Sequence, residues 1–136
     1  TPTIFCGQAV LDQAQLSNYI PQKLGTGWGV GEPLVFSPTR KGLLDKVELF
    51  VSGKGDIQVK VVDSVNGKNN DLTEIITWPV NSINGRGSWL TFDFKKEPLI
   101  YKGLNYTVTF RSISGTVYVH WAIYWNWARR IFLKQF

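Results

Sequence analysis

One histidine, one cysteine and ten acidic residues are the imidazole, thiol and carboxylate groups that this chain offers for catalysis or metal binding. A thiol–imidazole pair between Cys6 and His120 is conceivable, but no neighbouring residue in sequence orients it. Glycoside hydrolysis would need two carboxylates about 5 to 10 Å apart across a cleft. Glu48 and Asp93 could be asked to serve, yet both read as residues of regular strands. Neither the G-x-S-x-G elbow nor a phosphate-binding loop is present. A single His with a single Cys is a poor zinc set. The run Asp63 to Asp71 has oxygen ligands and a tight turn that suit calcium in principle, without the alternating acidic spacing of a dedicated loop. Asn66-Gly67 there reads more simply as a hairpin turn. No catalytic residue, metal ligand or cofactor is therefore assigned, and the expectation is a protein that is not an enzyme.

Binding chemistry is better represented. Trp89, Asp93, Arg111, Tyr118 and His120 all fall on the register that faces away from the core in the strand reading below. Two aromatic rings with a carboxylate, a guanidinium and an imidazole suit a sugar, whose apolar ring face stacks while its hydroxyls take planar polar partners. The same outward set also suits a half-covered face or a contact with another chain.

Those side chains must be carried by strands, because alternation dominates the sequence and helical spacing is nearly absent. Val47, Leu49 and Val51 share one face, and Ile57, Val59 and Val61 repeat the pattern after Gly53-Lys54-Gly55-Asp56, which reads as a turn. A strand over about 72–78 is expected to stop at Pro79. Leu90, Phe92 and Phe94 alternate with Trp89, Thr91 and Asp93. Tyr106, Val108 and Phe110 alternate with Thr107, Thr109 and Arg111, and Val117, Val119 and Trp121 with Tyr118 and His120. Ser112 to Gly115 reads as a loop between those two strands, and Leu11 to Tyr19 as strand or irregular chain. Six or more strands at roughly ten-residue spacing predict an all-β fold, an antiparallel β-sandwich, jelly-roll-like. Its expected core is Phe36, Leu44, Val47, Leu49, Val59, Leu90, Phe92, Tyr106, Val108 and Phe110.

At 136 residues the chain reads as one domain over 1–136. Six Trp, five Tyr and eight Phe are more rings than such a core readily hides, so some belong on a surface with a purpose. Cys6 excludes an internal disulfide and reads as a small buried hydrophobe. The net charge of +5 is spread through loops, without the basic run interleaved with aromatics that a nucleic-acid groove needs, so no nucleic-acid partner is expected. No apolar run approaches the ~20 residues of a membrane span, so no membrane insertion is expected. Opening on Thr1-Pro2 fits either loss of an initiator Met or excision from a longer precursor.

The order of several short motifs resembles a jelly-roll, carbohydrate-binding-like module found in bacterial secreted proteins and in phage tail or baseplate proteins. The matching residues are Asp12-Gln13 with Gln15, Gly31 leading to Phe36, Gly42-Leu43-Leu44 leading to Val47 and Leu49, Trp89 to Phe94, and Gly103 to Phe110. Such modules are similar to carbohydrate-binding domains and are usually non-catalytic. The resemblance implies a sandwich exposed outside the cell or on a virion, and it brings no universal ligand residues. After Trp121 the chain departs from the usual ending.

That divergent end is itself informative. Residues 125–136 hold two Trp, two Phe, Ile and Leu beside Arg129, Arg130 and Lys134, too much apolar surface to lie free in water. They read as an assembly tail or as a last strand, and Trp125, Trp127, Arg129, Arg130, Ile131, Phe132 and Leu133 are the candidate subunit contacts. The function expected is a non-catalytic module on a cell surface or virion that recognises a glycan or polysaccharide. The alternative is a structural virion protein, a decoration or tail component, acting as a homo-oligomer or through shell subunits.

Overall fold

The structure, a computed structural model, describes residues 8–29, 33–65, 68–82, 85–123 and 126–135. Among them there is no α-helix, and every strand pairing is antiparallel. The strands are β1 (Ala9–Gln15), β2 (Ile20–Lys23), β3 (Leu34–Phe36), β4 (Gly42–Val65), β5 (Lys68–Asp71), β6 (Ile76–Asn81), β7 (Ser88–Asp93), β8 (Leu99–Ile100), β9 (Tyr106–Trp121) and β10 (Arg129–Lys134).

Two of these strands are longer than their sequence suggests. Gly53-Lys54-Gly55-Asp56, expected as a turn, lies inside the 24-residue β4. Ser112 to Gly115, expected as a loop, lies inside the 16-residue β9. The two strands run together from Val51↔Val119 to Asp63↔Tyr106, and glycine makes that crossing possible. Gly53 and Gly115 have φ of +99° and +68°. A Cβ on Gly53 would strike the carbonyl oxygen of Thr116, and one on Gly115 that of Lys54. Glycines that looked like chain reversal instead let two strands bend sharply while still paired. A bulge at Ile113, where Ser112 and Ser114 pair with consecutive residues of β4, sharpens the bend.

The first part of β4 is flanked by β7 and β8 on one edge and by β10, then β1, on the other. Its second part is flanked by β6 and β5 on one edge and by β9 on the other, with β2 and β3 along the outer edge of β9. Bent at the glycines, the sheet encloses one core on its inner face. Val47, Leu49 and Val51 of the first part, Ile57, Val59 and Val61 of the second, and Val108, Phe110, Val117 and Val119 of β9 all join a single buried cluster. Phe110 and Trp127 meet edge-on at 5.2 Å between ring centres, which ties the two halves together. The expected core residues are buried except Leu90, which is half-buried against the cluster.

Pro79 does not end β6, which runs on to Asn81 along an outer edge where a missing N–H costs little. Val65 pairs with Lys68, while Asn66-Gly67, the expected turn between them, lies outside the described residues, as does Cys6.

The end of the chain belongs to the sheet. β10 sits between β1 and β4, with Trp127 2%, Ile131 0% and Leu133 1% exposed. This corrects the subunit-contact reading of Trp127, Ile131 and Leu133. Their alternation with Arg130 and Phe132 matches the inner and outer faces of a central strand, so the domain's own core consumes them. Lys134 then pins the strand's end, lying 2.7 Å from Glu97 and 3.3 Å from Asp45. The hydrogen bond to Glu97, supported by Asp45 and opposed by a smaller desolvation effect, holds its ammonium charged above the usual lysine range.

Candidate functional site

Pairing along β4 decides which of the candidate binding residues can meet. Phe50 faces Trp89, Glu48 faces Thr91 and Arg130, and Lys46 faces Asp93 and Phe132. These outward residues make a knitted surface. Trp89 meets Phe50 edge-on at 5.5 Å, and the Arg130 guanidinium lies over its ring at 4.2 Å. Arg130 is held 2.8 Å from Glu48, to which the Thr91 hydroxyl also donates. Lys46 lies over Phe132 at 4.8 Å. Trp89 is thus half-buried with a cation on its face, and Asp93 is the exposed member at the rim.

His120 departs from the expectation. Its register is outward, but the segment after β1 and the ring of Phe50 cover it, leaving 9% exposed. Nδ1 lies 3.1 Å from the carbonyl oxygen of Asn18, which can only accept, so Nδ1 carries the proton. Nε2 then accepts from the Ser52 hydroxyl at 2.7 Å. Both nitrogens are spent on internal partners. Burial lowers the imidazole's pKa below 6.5, only partly offset by the Asn18 carbonyl. A hydroxyl beside an oriented imidazole is how a nucleophile is activated, but Ser52 is itself only 6% exposed.

Tyr118 pairs with Ser52, two residues along β4 from Phe50, and Arg111 lies further along the same pair of strands. Tyr118 is half-buried and lines an open hollow of about 600 Å³ over the glycine bend with Lys54, Ser82, Ser114 and Thr116. Arg111 pairs with Gln58 beyond the bend, on the outer face of the other half, and Thr107 and Thr109 share its outward register as expected. Arg111, paired with Gln58, is therefore separated along the paired strands from Trp89, Tyr118 and His120, which lie on the other side of the glycines.

The ring beside Arg111 is Trp28. Its guanidinium lies 4.5 Å from the Trp28 ring centre and the Lys60 ammonium 4.6 Å. Both cations rise from the same sheet face, so the indole lies across them and remains half-exposed. Beside it runs a groove of about 630 Å³ lined by Trp28, Lys60, Asn69, Asp71, Thr107 and Thr109. Lys60 is paired with Asp71 at 3.0 Å, and Arg111 Nε donates to Gln58 Oε1 at 2.9 Å. The groove brings an aromatic face, two hydroxyls, an amide, a carboxylate and the Lys60 ammonium to one concave surface, with Arg111 against the same indole at its border.

Trp28 was missed because no alternation announces it. The available signal was its setting in Gly25-Thr26-Gly27-Trp28-Gly29, a bulky ring in glycine-rich chain with no strand to bury it. Of the remaining assembly candidates, Arg129 donates to the Asn126 side chain and the Trp127 carbonyl, Arg130 and Phe132 lie on the knitted outer face, and Trp125 lies outside the described residues. Asp71 is engaged with Lys60, and Asp63, Asn69 and Asn70 sit on the paired strands β4 and β5. Compared with models of protein families and with curated proteins, the chain matches none of them.

Proposed function

We propose that the chain is a non-catalytic binding module that recognises a glycan or polysaccharide at the Trp28 groove, exposed outside a cell or on a virion. The observation that carries this reading is the half-exposed indole beside two threonine hydroxyls, an amide and an ion pair on a concave outer face. A pyranose offers an apolar face to such a ring and hydroxyls to such partners. The two-sided antiparallel architecture is one that a jelly-roll-like carbohydrate-binding module would share. A shallow groove buries little of a small ligand, so affinity should be weak and gained along a chain of sugars. The test is a glycan array followed by titration of any hit. Trp28→Ala should abolish binding without lowering the melting temperature by more than a few degrees. Trp89→Ala should bind like the parent, since Arg130 already occupies that ring. Equal loss in both variants, or none in either, would refute the assignment of the site.

A structural virion role, acting through subunit contacts, is favoured by a different feature. Leu16 (55% exposed), Tyr19 (77%) and Ile123 (64%) in the connections, and Ile20 at the start of β2, are exposed. Gln15 Nε2 donating to the Asn126 carbonyl and the Ile20↔Trp121 pairing hold those connections together. Light scattering separates the two readings: a multimer without glycan affinity would support the structural role.

A further inference from the structure

Arg111 differs from the other ordered cations of this surface. Arg40 has Asp12, Lys60 has Asp71, Arg130 has Glu48, and Lys134 has Asp45 and Glu97. Among the described residues no carboxylate pairs with Arg111. Its side chain is nonetheless fixed: Nε donates to Gln58 Oε1, and Gln58 Nε2 in turn donates to Thr77 Oγ1 at 3.1 Å. The plane of the guanidinium is set from behind, and its carbon lies against Trp28. Using Nε on Gln58 leaves the terminal amino groups, the pair that makes forked contacts with carboxylates and sulfates. Lys60 shares the same ring but is offset by Asp71, so Arg111 supplies the excess positive charge.

We infer that the Trp28 groove takes an anionic saccharide, whose carboxylate or sulfate is received by the Arg111 guanidinium while a sugar ring packs on the indole. This rests on the glycan reading and narrows it to acidic sugars. A nucleic-acid strand fits less well, because tracking a phosphate backbone takes a row of cations and Asp71 stands in the groove.

The test is calorimetric titration of the intact chain with four probes matched in length: oligogalacturonate, sulfated dextran oligomers, neutral malto-oligosaccharide and oligo(dT). Either or both acidic saccharides should bind more tightly than the neutral one, weaken with added salt, and lose about tenfold or more in affinity in Arg111→Gln. The control Lys23→Gln removes an exposed charge elsewhere and should bind like the parent. Whichever of uronate and sulfate binds more tightly identifies the anion. Neutral sugar bound as tightly as the acidic ones, with no effect of Arg111→Gln, overturns the inference and leaves the glycan reading standing. Equal losses in Arg111→Gln and Lys23→Gln, or oligo(dT) binding as tightly and with the same Arg111 dependence, also overturn it. Binding of none of the four to folded protein overturns both readings.

Discussion

Acidification should reach this molecule first at His120. The folded imidazole is neutral, enclosed and accepting from Ser52, and its pKa is lowered from 6.5 by burial. The unfolded chain therefore takes up a proton more readily than the folded one as pH drops, so stability is complete above about 6.5 and declines below it. Urea midpoints measured from pH 8 to pH 5 should fall on the acid side, and His120→Gln should flatten that fall. A parent midpoint unchanged down to pH 5 would show that His120 titrates as it does in the unfolded chain. At this scale the outward positions of Trp89, Arg111, Thr107 and Thr109 were legible, because a strand's period of two fixes facing. What covers an outward side chain was not legible. The lids of His120 and Trp89 come from Asn18 and Arg130, both remote in sequence, and facing alone carries no information about them.

Strands were legible where they alternate and illegible where they join. A Gly-Lys-Gly-Asp run has the composition of a turn, and only the proximity of β9 shows that both sides continue in one strand. That gives the glycines a measurable cost of substitution. Gly115→Ala should destabilise by on the order of 1–3 kcal/mol in urea unfolding, since it forces a strained φ on a residue whose Cβ meets the Lys54 carbonyl. Gly27→Ala, with open space around it, should cost far less. β10 makes the complementary prediction. Its apolar residues were legible as packed, but nothing local distinguishes a central strand of the same domain from an arm reaching into another. Between β1 and β4 it is central, so deleting residues 129–136 should abolish the cooperative melt and the near-UV circular dichroism. A truncated chain that still melts cooperatively would return the tail to an assembly role.

For the molecule as a whole, β4 matters more than any other strand. It is hydrogen-bonded to β5, β6, β7, β8, β9 and β10, and it contributes to both halves of the core. Neither half can come apart while the other stays folded, because each would have to surrender the same backbone. Native-state hydrogen exchange should therefore show the central amides of β4, near Val47 and near Val59, reporting one opening energy equal to that of complete unfolding. Two separate energies for those positions would mean that the halves open independently. If the energies agree, the protein keeps time with a single clock: the groove beside Trp28 and the shelf around Trp89, at opposite ends of β4, form and vanish together. Anything bound in the groove would then slow the escape of every deuteron along the strand, including those beneath the face it never touches.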